Sequence, residues 1–145
     1  MIDPAATAPD VAMPNRGADS ATTFEPRRCA AAAKQFGKSG ADLMPAPGMQ
    51  SSDPRFAAAQ FQHRVCNAVR EWLLSRGTTI EEFARELKAG EVPGAGSDRL
   101  GRVLRGETLM QIADLVSLAV RVPGVRSVLL SERTWTADEA TDGRV

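Results

Sequence analysis

Apolar and polar positions divide the chain into a weakly patterned first third and a strongly periodic remainder. In "RFAAAQFQHRVCNAVREWLLSRG" the apolar positions Phe61, Val65, Ala68, Val69, Trp72 and Leu73 recur at helical spacing, and Gly77 is placed to end the helix. "TTIEEFARELKAG" follows. Thr79 and Glu82 have the spacing of a capping box, Ile80, Phe83, Ala84 and Leu87 form an apolar stripe, and Gly90 closes the segment. After the connector "EVPGAG" comes "SDRLGRVLRGET". At about 100° per residue, Leu100, Val103 and Leu104 fall on one side of a helix and Arg99, Arg102 and Arg105 on the other. Ser97 is placed to cap this helix and Gly106 to stop it. "ETLMQIADLVSLAVRVPG" is apolar around much of its circumference and predicts a central helix. "PGVRSVLLSE" predicts a short fifth helix carrying Val125, Val128, Leu129 and Leu130. No segment alternates as a strand would.

Residues 1–54 are rich in Ala, Pro, Gly, Ser, Asp and Thr, with few large apolar side chains: Ile2, Phe24, Phe36 and Leu43. Ordering a backbone costs about 1–2 kcal/mol per residue, so this composition predicts a disordered or weakly helical N-terminal arm and linker. The organisation expected is therefore an arm over 1–54, a helical domain over 55–132 and a C-terminal tail over 133–145.

Composition narrows the chemistry. The 145 residues carry 18 basic and 18 acidic side chains, so a generally basic protein is excluded while a local basic patch is not. The two cysteines, Cys29 and Cys66, form no CxxC pair, and with Cys29 in the expected arm they read as free thiols. His63 and Cys66 have the spacing of two helix-borne ligands, but one His and two Cys are too few for a zinc site. His63 reads as a surface residue, Cys66 as core or its edge, and Trp72 as core. Glu81 and Glu82 favour a helix start and do not make an acid–base couple. No nucleophile–base constellation or phosphate loop is present, so neither an enzyme nor a bound metal or cofactor is expected. The opening "MIDPAATAPD" lacks a basic, then apolar, run, and no apolar stretch suits a bilayer. The expected location is cytoplasmic, and on the nucleoid when bound to DNA.

Taken together, "WLLSRGTTIEEFARELK", "SDRLGRVLRGET" and "MQIADLVSLAVRVPGVRSVL" resemble the lambda-repressor-like (Cro/XRE-type) helix-turn-helix DNA-binding family over roughly residues 61–131. Ala84 matches the family's small residue where the second and third helices cross. Phe83, Leu87, Leu100 and Val103 match its apolar positions. Two features depart from the pattern. The turn 88–96, "KAGEVPGAG", is longer than the family's, and Ile80 stands where a phosphate-contacting glutamine is common, so that contact is either missing or supplied by Thr78 or Thr79.

The resemblance implies an all-α, five-helix domain whose third helix enters the DNA major groove. Its groove-facing positions are then Ser97, Asp98, Arg99 and Arg102. Arg102 is the expected guanine reader, Arg99 a base or phosphate contact, and Arg105 a phosphate contact. Asp98 caps the helix or accepts from cytosine. Thr79, Arg76 and Arg85 are further candidates for the DNA backbone. Gly101 would let another surface approach closely. The function implied is a sequence-specific double-stranded DNA-binding regulator, a repressor of bacterial or phage type. A homodimer would use the fifth helix and tail through Val128, Leu129 and Trp135. The rival reading is a protein-interaction module, an adaptor or antitoxin-like partner, in which the charged flank is solvated surface and the arm folds on a target.

Overall fold

The computed structural model describes residues 23–90 and 96–131. Among them are five α-helices and no strand: α1 (Pro54–Arg76), α2 (Ile80–Ala89), α3 (Ser97–Leu104), α4 (Ile112–Arg121) and α5 (Pro123–Leu130). The chain is all-α. Trp135, the rest of the tail and residues 1–22 lie outside the described residues, as does most of the lengthened turn.

Local chemistry sets the helix limits. Asp53 caps α1 by accepting the Arg55 N–H at 2.8 Å, with Pro54 in the first turn, where its missing N–H costs nothing. Gly77 ends α1 at φ 66°. The Thr79–Glu82 capping box forms in both directions, at 3.1 and 2.9 Å. Two boundaries differ from expectation. Gly96, not Ser97, is the N-cap of α3, and no side chain caps it, so Ser97 is already helical. α4 begins only at Ile112, where the Asp114 carboxylate reaches back to accept the Gln111 N–H at 2.8 Å.

α1 is the central helix and buries two faces. One holds Val65, Val69 and Leu73 in a core with Phe83, Ala84 and Leu87 of α2, Leu100 of α3, Leu118 and Val122 around α4, and Val125 of α5. Trp72, half-buried, packs edge-on to Phe83 with ring centroids 5.3 Å apart. α2 packs on α3, and α5 on both α1 and α4. α4, expected at the centre, is peripheral. It buries Leu118 but leaves Ile112, Val116 and Val120 exposed by 78%, 55% and 68%.

The second face of α1 corrects the reading of residues 23–53 as arm and linker. Phe24, Cys29, Ala30, Phe36 and Leu43 bury against Phe56, Ala59 and Cys66. The segment doubles back on itself through an isolated bridge, with Ala31 N–H donating to the Met44 carbonyl and Ala46 N–H to the Cys29 carbonyl, both at 2.8 Å. Its large apolar residues are few, but each fills a site that α1 supplies. Polar groups complete the seam. Gln60 accepts from the Leu43 N–H at 2.8 Å, and Arg64 forks onto Asp42 at 3.0 and 2.9 Å. His63, read as surface, is fully buried. It accepts the Gly37 N–H on Nδ1 at 2.9 Å, which leaves Nε2 to donate to the Ala41 carbonyl at 2.8 Å. Cys29 and Cys66 are free and buried.

Two contacts on this side fix the end of α3. The buried Gln62 amide donates to the Val103 and Thr108 carbonyls at 2.9 and 3.0 Å and accepts the Met110 N–H at 2.7 Å. Gly106, at φ 76°, lies so close to Phe36 that a Cβ would come within 2.7 Å of the ring. Gln62→Leu strands the Thr108 carbonyl and the Met110 N–H, and should lower stability by about 1–3 kcal/mol in a urea titration. Phe36→Ala should cost about 3–5 kcal/mol by the same measurement; an independent arm would leave the midpoint unmoved.

Candidate nucleic-acid interface

α3 divides as its sequence predicts. Leu100 and Val103 are buried, while Ser97, Asp98, Arg102 and Arg105 are exposed on the other flank. The arginines, however, are not equivalent. Arg99 forks onto Asp114 of α4, at 2.6 Å through Nη2 and 3.3 Å through Nε, and the Asp114 side chain is only 12% exposed. The same carboxylate accepts the Gln111 N–H at 2.8 Å as part of the α4 cap. Arg99 therefore ties α3 to α4. To touch DNA it would have to leave a well-shielded carboxylate.

Arg105 donates through Nε to Glu107 at 2.7 Å and remains about half exposed. Its guanidinium lies over Gly101, where an added Cβ would come within 3.0 Å of Nη1. The close approach expected at Gly101 is thus made by this chain's own arginine. Arg102 is the least committed of the set. Its nearest acid is Asp98, one turn earlier at 3.6 Å, and Asp98 is 87% exposed. An exposed pair of this kind contributes about 0–1 kcal/mol, so a stronger acceptor displaces it readily.

The folded N-terminal segment brings two arginines that the sequence reading missed. The Arg27 N–H donates to the Gly106 carbonyl at 3.0 Å, and its guanidinium lies 3.5 Å from Glu107. Arg28, beside it, is 66% exposed. The "PRRC" doublet was the available signal, and its position in an expected arm hid it. Glu107 consequently sits among Arg105, Arg27 and Arg102. The hydrogen bond from Arg105, then the charges of Arg105, Arg27 and Arg102, hold its carboxyl below the ordinary 4.5.

The remaining candidates lie apart from the α3 flank or on its margin. Thr79 is exposed at the start of α2 and lines the same cleft as Arg105. Its hydroxyl accepts within the capping box and keeps its own proton to donate. Arg76 lies 4.3 Å over the Trp72 ring and 3.4 Å from Glu86, so it serves the α1–α2 corner. Arg85 is exposed on α2. Among the described residues no group of three or more His, Cys, Asp or Glu is placed to hold a metal ion. No helix among them is long and apolar enough to cross a membrane.

No protein-family model, no curated protein and no solved structure matches this chain.

Because its folded-state pKa is depressed, Glu107 contributes stability above its ordinary value of 4.5 and loses that contribution as the pH falls from there through the lowered one. Glu107→Gln should therefore show a shallower loss of thermal stability than the wild type on acidification below pH 4.5. Parallel melting curves would show that Glu107 does not sense its arginines.

Proposed function

We propose that the chain is a sequence-specific double-stranded DNA-binding transcriptional regulator of the lambda-repressor-like helix-turn-helix type, with α3 as the helix that enters the major groove. A repressor of bacterial or phage type is the form this takes. The observation that carries the reading is the split of α3: an aliphatic flank buried beneath α1 and α2, and an outer flank with Arg102 available and Arg105 half exposed in a pair with the half-buried Glu107. Arg27 and Arg28 extend the cationic surface past the end of the helix. Phosphate oxygens displace surface carboxylates well, because each neutralised phosphate also releases counterions.

Within this reading Arg102 contacts a base, since a guanidinium can donate two bonds to guanine O6 and N7. Arg105, Arg28 and Thr79 take phosphates, Ser97 donates at the helix start, and Arg99 positions α3 through Asp114. Association as a homodimer belongs to the same proposal. Val128, expected at such a contact, is packed against the core, whereas Ile112, Val116 and Val120 on α4 are open.

That exposed stripe also supports the second reading, a protein-interaction module that docks a partner's apolar surface on α4. Salt separates the two. DNA affinity should fall steeply between about 50 and 200 mM salt, while docking through an apolar stripe should be nearly flat. On a duplex selected from random sequence, Arg102→Ala should cost about 1–3 kcal/mol of discrimination between selected and random DNA. Arg28→Ala should weaken both equally and flatten the salt slope by about one. Failure to enrich any duplex, with no salt dependence, would remove the DNA reading.

A further inference from the structure

A cleft of about 380 Å³ opens between the second half of α1, the start of α2, the end of α3 and the loop at Gly37. Its walls are aliphatic: Leu73 and Leu74 from α1, Ile80 from α2 and Leu104 from α3. Cys66 adds to them as a neutral thiol, because full burial pushes its pKa far up. The mouth has the opposite character. Lys38, Arg70 and Arg105 line it, and no carboxylate does among the described residues. The Arg70 guanidinium donates to the Lys38 backbone carbonyl at 3.4 Å, which places the two residues on one lip. Arg105 has Glu107 as a partner, while Lys38 and Arg70 have no ion-pair partner among the described residues.

An aliphatic chamber with a cationic lip selects a molecule with an apolar body and one anionic end. We propose that this cleft binds a medium-chain monocarboxylate, its hydrocarbon chain against Leu73, Ile80 and Leu104 and its carboxylate on Arg70 and Lys38. Volume sets the length. At roughly 30 Å³ per heavy-atom group, the share of a water molecule, the cleft accommodates about a dozen such groups, the size of decanoate. A shorter acid leaves wall uncovered, and each methylene withdrawn from water multiplies affinity about fourfold. A neutral analogue forgoes the charge-assisted hydrogen bonds that a guanidinium gives a carboxylate. The site stands whether or not the chain binds DNA.

The test is calorimetric titration of the full chain with decanoate, octanoate, butyrate and decanol, without DNA. Decanoate should bind one site, about fifteenfold tighter than octanoate and at least tenfold tighter than decanol, with butyrate undetectable. The double variant Lys38→Gln/Arg70→Gln should lose at least tenfold for decanoate and leave decanol unchanged. Ile80→Trp should fill the chamber and abolish both. Should that variant fail to fold, amide shifts on the wild-type chain replace it. Decanoate must then move the Leu73, Ile80 and Leu104 signals and not those of the Ile112–Val120 stripe. Absence of saturable decanoate binding below millimolar concentration, equal affinity for decanol, or shifts confined to α4 would each overturn the assignment.

Discussion

The placement of α3 rests on one buried primary amide. Gln62 projects from the central helix and engages the Val103 carbonyl at the end of α3, then the Thr108 carbonyl and Met110 N–H in the link to α4. A neutral hydrogen bond of this kind contributes only about 0.5–1.5 kcal/mol net, but an abandoned partner costs about 1–3 kcal/mol. The amide therefore acts less as a stabiliser than as a locator. Any shift of α3 along α1 leaves polar backbone buried and unpaired. Gly106 and Phe36 close the other side, since only a residue without a Cβ fits beneath the ring.

That fixed frame decides what each arginine of α3 can do. Arg99 meets a shielded carboxylate on α4, already held by the α4 cap, and the bidentate pair brings the two helices into register. Arg102 and Arg105 meet carboxylates that water also reaches, so their pairs are weak and exchangeable. A uniform cationic stripe in the sequence thus becomes one structural tie and two available donors. The folded N-terminal segment adds Arg27 and Arg28 at the same end, with Glu107 among them all.

Making α1 the two-faced centre also explains the two surfaces left over. α4 is displaced to the periphery and keeps an aliphatic stripe in solvent. Between α1, α2 and the Gly37 loop, the aliphatic side chains do not close completely, and a cleft with a cationic lip remains. Both follow from one helix serving two cores rather than one.

Features that depend on near neighbours were legible in the sequence. The Thr79–Glu82 box, the stop at Gly77, the turn at Gly106 and the opposed flanks of residues 97–105 are set within a turn or two of backbone, and all-α architecture follows from their succession. What tertiary structure alone decided involves groups far apart in the chain. Phe24, Phe36 and Leu43 looked too sparse to fold because the surface that buries them belongs to residues 56–66. His63 read as surface because its two backbone partners lie in the segment taken for an arm. Arg99 looked like Arg102 because nothing local marks Asp114 as its partner. Helix limits follow from short-range hydrogen bonding and backbone angles, which a sequence spells out. The second burial face and the pairing of each charge depend on which distant groups the packing brings within a few ångströms, and that is set only once the chain has closed on itself.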